Sequence, residues 1–214
     1  MQMAWEVETM SDEELARQSQ AGSLSAFEKL VYRYEGRIHR FAVNLCRNDA
    51  DAREITQDTF VRAFQAIGQF NSKKKFAPWL FTIARHKCVD HHRAAPATTD
   101  QTVPEQADHE DPASQLSQKE EQQNLWALAR QTLPAAQFEA LWLKYAEEMS
   151  VEEIAQVLRK TQTYVKVLLF RARTNLRHHF DKLENTSGRS SKEVASSLNP
   201  RTPPQLHRSN LGLV

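Results

Sequence analysis

From Phe27 onward, Leu30, Val31, Tyr34, Ile38, Phe41, Ala42 and Leu45 recur at three- and four-residue steps, drawing one apolar stripe along a helix of about six turns. Two capping-box patterns precede it: Ser11 with Glu14, leading into a short helix through Leu15 and Ala16, and Ser25 with Glu28. Asn48 and Asp49 break the stripe. Ile55, Phe60, Ala63, Phe64 and Ile67 then mark a second long helix, expected to end near Gly68 on a left-handed cap. A short basic loop, Asn71 to Lys75, leads to Pro78, which a first helical turn tolerates because its missing N–H needs no partner. The third helix carries Trp79, Leu80, Ile83, Ala84 and Cys88, and residues 11–93 form one helical domain.

The pattern stops between residues 94 and 118. Pro96, Pro104 and Pro112 fall there, large apolar side chains are almost absent, and burial cannot offset the entropy of ordering, so the segment is expected to be a flexible linker. A second helical domain, residues 119–182, begins with Leu125, Trp126, Leu128 and Ala129 and resumes after Leu133-Pro134 with Phe138, Leu141, Trp142 and Tyr145. Ser150 and Glu153 make a third capping box, opening a short helix through Ile154, Ala155 and Leu158. After a gap of about three residues, Val165, Leu168, Leu169, Ala172 and Leu176 stripe a longer helix. Beyond Glu184 the helical period fades, and residues 183–214 are expected to be disordered. The expected fold class is all-α: two helical domains joined by a flexible acidic linker, the second with a helix-turn-helix.

Composition agrees with helices. The 214 residues are 40% hydrophobic and 26% charged, with only 5 Gly. No apolar run approaches the roughly 20 residues that cross a bilayer, and Met1 to Met10 lack the basic start and apolar middle of a signal peptide, so a cytoplasmic protein without membrane insertion is expected. Cys46 and Cys88 each sit inside an apolar helical pattern and read as small core residues. The His91-His92 and His178-His179 pairs have no spaced carboxylate or thiol partners, and no Gly-rich phosphate loop occurs. No metal, no cofactor and no enzyme activity are therefore expected. The net charge of +1 hides a sorting: basic residues prevail from Phe27 to Arg93, and the ionised side chains from Asp100 to Asp111 are all acidic.

A short helix, a tight turn and a longer helix, with small Ala155 facing Val165, fit a helix-turn-helix. If the longer helix buries its apolar stripe, its other face presents Thr163, Lys166, Val167, Phe170, Arg173 and Arg177 to a major groove. Lys166 is a candidate for a guanine edge, Thr163 for a base edge or phosphate, Arg171 and Arg173 for phosphates, and Val167 or Phe170 for a thymine methyl. An ordinary helical hairpin with a solvated basic face is the competing reading.

The two helical sets in this order resemble the sigma-2 and sigma-4 domains of extracytoplasmic-function sigma factors. The first match is DAREITQDTFVRAFQAIGQF (Asp51 to Phe70) followed by KFAPWLFTIARHKCVDHHR (Lys75 to Arg93), similar to the family's WLxxIAxNxxxDxxR segment. The second runs from Leu133 to Leu176, with LP, an acidic SVEEIA helix and VKVLLFRAR. The resemblance implies a factor that brings RNA polymerase core to promoter DNA. It assigns Arg53, Glu54, Gln57 and Asp58 to the beta-prime clamp of the core. Lys73, Lys74, Lys75, Phe76, Arg85, His86 and Arg93 fall to the melted minus-10 element, where cations track the backbone and an aromatic face or pocket takes an unstacked base. Thr161, Thr163, Lys166, Val167, Phe170, Arg171 and Arg173 fall to the minus-35 duplex, with the beta flap as a further polymerase contact and an anti-sigma factor as a further partner. Trp79 reads as core, since it starts a buried stripe. The acidic linker is similar to the connector that runs through the polymerase cleft.

Three positions depart from the family pattern. His86 stands where Asn is usual, Arg159 takes a turn position usually held by Gly at a left-handed cost of about 1 kcal/mol, and Val167-Leu168 replaces a frequent Ser-Arg. A helix-turn-helix regulator acting without polymerase, and an interaction module that has lost DNA recognition, are the alternatives. The tail after Glu184 is expected to adjust activity or to be a plain disordered end.

Overall fold

The computed structural model describes residues 10–94 and 125–197, with side-chain surroundings for 10–93 and 125–182. The acidic linker, Ala94 apart, and residues 198–214 lie outside them. Among the described residues there are helices and turns and no strand.

The first bundle holds α1 (Asp12–Gln20), α2 (Leu24–Cys46), α3 (Asp49–Ala66) and α4 (Phe76–Ala94). Ser11 caps α1 by accepting the Glu14 amide, as its sequence predicts. The cap of α2 is Ser23 rather than Ser25, because Gly22, at φ 98°, turns the chain sharply and lets the helix begin at once. Nor does α3 end on a left-handed glycine. It passes into a 3-10 turn, Ile67–Gln69, and the Gln20 side-chain amide donates to the carbonyls of Ile67 (2.9 Å) and Phe70 (2.7 Å). Those carbonyls are thus paired from another helix, and Gly68 keeps an ordinary negative φ.

The second bundle holds α5, described over 125–132, then α6 (Ala135–Tyr145), α7 (Val151–Leu158) and α8 (Gln162–Ser197). Ser150 and Glu153 form the complete capping box of α7: the Ser hydroxyl accepts the Glu153 amide and the carboxylate accepts the Ser150 amide. Helix α8 continues through Ser197, past Glu184, where the apolar period ends and disorder was expected. After Pro134 the next proline is Pro200, and the single interior Gly188 costs only about 1 kcal/mol, so no local feature stops the helix once α8 is nucleated by packing.

The sequence predicts two domains but not that they pack on each other. One cluster of buried apolar side chains runs from Leu15, Leu30, Ile38 and Phe41 through Leu80, Phe81 and Ala84 to Leu143, Ile154, Val157 and Val165. Helix α4 lies against α7, and α2 touches α6. Two ion pairs cross the boundary: Arg37 to Glu147 at 2.8 Å and Arg85 to Glu139 at 3.2 Å. Glu147 also accepts the Trp142 indole N–H at 3.3 Å, and the Arg37 guanidinium lies 4.7 Å from the centre of the Tyr34 ring. A smaller cluster at the end of α2 holds Cys46 and Cys88, both reduced and buried, with Ala42, Ala52 and Ile55. The interaction with Cys46, together with burial, pushes the Cys88 thiol far up, so it stays protonated.

Candidate polymerase and nucleic-acid interfaces

Helix α3 turns Ala52, Ile55, Thr56, Thr59 and Phe60 inward and leaves Arg53, Glu54, Gln57 and Asp58 exposed. These four do not share one surface. Arg53 and Gln57, one turn apart, line a groove of about 770 Å³ between α2 and α3 together with Val31, Tyr32, Gly36 and Val61. Asp58 lies on the adjoining row, where its carboxylate accepts from Lys87 of α4 at 2.8 Å. Two exposed apolar side chains, Tyr32 at 89% and Val61 at 51%, lie in this groove. The sequence signal for Tyr32 is an aromatic standing off the buried stripe of α2, outside the residues that the family resemblance assigns to the clamp.

The loop before α4 is shaped by Asn71, whose side chain accepts the Lys73 amide (3.0 Å) and whose carbonyl accepts the Lys74 amide (2.8 Å). Lys73, Lys74 and Lys75 are all exposed. Phe76 is not available to a base. It is 1% exposed, packed edge-on to Tyr34 and Phe70, and its amide donates to Glu13 of α1 at 3.1 Å. The expectation that Phe76 offers an aromatic face is therefore corrected: in the first turn of α4 it points to the core, while Trp79 beside it, 5.2 Å from Phe70, packs against that core as expected but stays half-buried.

Further along α4, Arg85 and His86 are half-buried against the second bundle and Arg93 is exposed. Arg85 is held by Glu139, whose carboxyl burial pushes up in pKa despite the neighbouring guanidinium. Burial lowers the pKa of His86, and the charges of Arg159 and Arg85 lower it further. The loop lysines and Arg93 are thus open to solvent, and Arg85 and His86 are engaged between the bundles.

In the second bundle, α7 ends on Arg159 in the left-handed region (φ 52°, ψ 48°), the penalty its sequence foretells. The Lys160 amide returns to Ala155 and closes the turn. Thr161 caps α8, its hydroxyl oxygen accepting the Tyr164 amide at 3.2 Å. Val165, Leu168, Leu169 and Ala172 are buried, while Thr163, Lys166, Val167, Phe170, Arg171 and Arg173 are exposed. Arg173 folds back to the Leu169 carbonyl, to which its Nε donates at 3.2 Å.

Comparison with known proteins finds two family matches along the chain. The sigma-70 region 2 family matches residues 30–97, and the sigma-70 region 4 family matches residues 127–176. The ECF RNA polymerase sigma factor BldN of Streptomyces coelicolor is 30% identical over 74% of this chain, a match that takes in 62% of that relative's length. The RNA polymerase sigma-H factor of Pseudomonas aeruginosa is 29% identical over 76% of this chain and 90% of its own. Among solved structures, CnrH in complex with the cytosolic domain of CnrY covers 80% of this chain and 97% of its own at a TM-score of 0.61 and 26% identity. The sigma factor RpoE of Bartonella quintana, bound to the anti-sigma factor NepR, shares the fold at a TM-score of 0.60 and 21% identity, over 74% of this chain and 98% of its own. The chain belongs to the sigma-70 family, in its extracytoplasmic-function class.

Proposed function

We propose that this chain is a non-enzymatic subunit that works in the cytoplasm, recruits RNA polymerase core to promoters and opens them. The observation that carries the reading is the presence, in one chain, of three distinct surfaces: the α2–α3 groove, the basic loop with α4, and the outward face of α8. The groove of Tyr32, Arg53 and Gln57 takes the beta-prime clamp, with Glu54 and Asp58 at its border. Lys73, Lys74, Lys75, Arg85, His86 and Arg93 follow the melted minus-10 strand, with Trp79 in place of Phe76 as the aromatic edge. Thr161, Thr163, Lys166, Val167, Phe170, Arg171 and Arg173 hold the minus-35 duplex, and the second bundle meets the beta flap. Relatives named as RNA polymerase sigma factors support the core enzyme as partner. CnrH is bound by the cytosolic domain of CnrY, which supports a protein partner here too, and we assign that role to an anti-sigma factor.

This reading requires the bundles to part. Elements centred about 25 base pairs apart lie roughly 85 Å apart at about 3.4 Å per pair, far beyond the reach of two bundles in contact. The segment between residue 94 and residue 125 reaches roughly 100 Å when extended, enough for both to bind. The test is runoff transcription on genomic fragments with core polymerase. Defined transcripts that need both core and this chain support the reading; transcripts absent, or specific duplex binding by the free chain with no effect of core, contradict it.

A further inference from the structure

Taking α8 as a duplex-binding helix, its side chains are sorted by chemistry around the axis. The buried residues Val165, Leu168, Leu169 and Ala172 define the inward direction. At roughly 100° per residue, Thr163, Val167 and Phe170 stand within about 40° of the opposite, outward direction. They follow i, i+4, i+7 spacing and form one straight row of the kind that lies deepest in a groove. Val167 is 39% exposed and Phe170 64%. The cations fall to the sides: Lys166, Arg173 and Arg177 on one flank, Arg171 on the other, with Lys160 beside the Tyr164 ring at 5.6 Å. From Gln162 to Phe180 there is no acidic residue.

We propose that this row reads thymine methyl groups, and that minus-35 specificity in this protein is carried mainly by apolar contact. The central row has no Arg, Lys, Asn or Gln, so it cannot make the bidentate hydrogen bonds that select guanine or adenine. The one apolar group on a major-groove base edge is the thymine C5 methyl, which suits Val167, Phe170 and the Thr163 methyl. The flanking cations are placed for the two phosphate backbones, so Lys166 addresses phosphate and not a guanine edge. Their charge also selects a polyanion over an apolar protein partner for this face. Three side chains spread over seven positions cover about 10 Å of helix, the rise of about three base steps, so the site is a run of two or three thymines on one strand.

The probe is a promoter library with a randomised minus-35 segment, selected with the full chain and core polymerase. The selected duplex is then compared with the same duplex carrying deoxyuridine for thymine, which removes the methyls and keeps every hydrogen bond. Enrichment of a thymine run, with about tenfold weaker binding of the deoxyuridine form from two lost methyl contacts, supports the proposal. V167A and F170A, both at exposed positions, should fold normally and bring the two forms to within about twofold of each other. Equal binding of the two duplexes by the wild type, or guanine enrichment that depends on Lys166, overturns methyl readout while leaving α8 a duplex binder. Failure to enrich any minus-35 sequence removes the duplex assignment of α8 and this proposal with it.

Discussion

The Arg85 guanidinium of the first bundle lies 3.2 Å from the Glu139 carboxylate of the second, and the side chains are only 22% and 11% exposed. A residue assigned to the melted strand is thus occupied by the neighbouring bundle whenever the two are packed. Breaking such a pair from one side leaves a charge without its partner. R85A should weaken the packed arrangement by about 2 kcal/mol, somewhat less than for a wholly buried pair. E139Q, which leaves the half-buried Arg85 guanidinium without its carboxylate, should weaken it by about 1–2 kcal/mol. Inter-bundle energy transfer during urea titration measures both variants; no change in either would contradict the assignment.

His86 makes the same contact sensitive to pH. Its pKa is lowered by burial and by Arg159 and Arg85, so the packed state binds a proton less readily than the parted one. The contribution of His86 to packing is then fully present above the ordinary imidazole value of about 6.5, and packing weakens as pH falls below that value through the lower pKa of the packed state. Energy transfer measured from pH 8 to 5 should fall in the wild type and fall less in H86N. The difference between them isolates this ring from His91 and His39, which lie beside Asp51 and Asp49.

The left-handed Arg159 stores backbone strain at this boundary. R159G removes the Cβ penalty but frees the unfolded chain, for a net stabilisation of about 0.5–1 kcal/mol. A small rise in melting temperature is expected, with a weaker pH dependence of packing because one of the charges depressing His86 is gone. A fall in melting temperature would show that Arg159 makes contacts worth more than its strain.

Much of this was legible from residue types alone. The stripes of α2 and α8 predict their buried faces, since a long apolar period has one solution as a helix against a core. Ser11 and the Ser150–Glu153 box fix two helix starts for the same local reason. The sequence misleads where a distant partner decides: Gln20 takes the carbonyls that a glycine cap at Gly68 would have served, and Phe76 turns into a core built from α1, α2 and α4. The packing of α4 on α7 is hidden because an apolar face does not name what covers it. Tyr32 is hidden for a similar reason: it lies outside the apolar stripe, and exposure alone does not mark an aromatic as a contact.

For the groove, Y32A and R53A should each reduce affinity for core polymerase by about 5- to 30-fold, the range of an aromatic or arginine anchor. Both side chains are exposed, at 89% for Tyr32 and 75% for the Arg53 side chain, so thermal unfolding should hardly change. E54Q, on the adjoining row, should have a smaller effect. Unchanged core affinity in Y32A and R53A would place the clamp elsewhere.

The most direct measurement follows strand opening itself, with 2-aminopurine in the minus-10 element of a promoter found by transcription. Fluorescence should rise only when this chain and core polymerase are both present, and the rise should be lost in a K73A/K74A/K75A variant that still binds core. Opening by core alone, or no opening with both present on any promoter, contradicts the account.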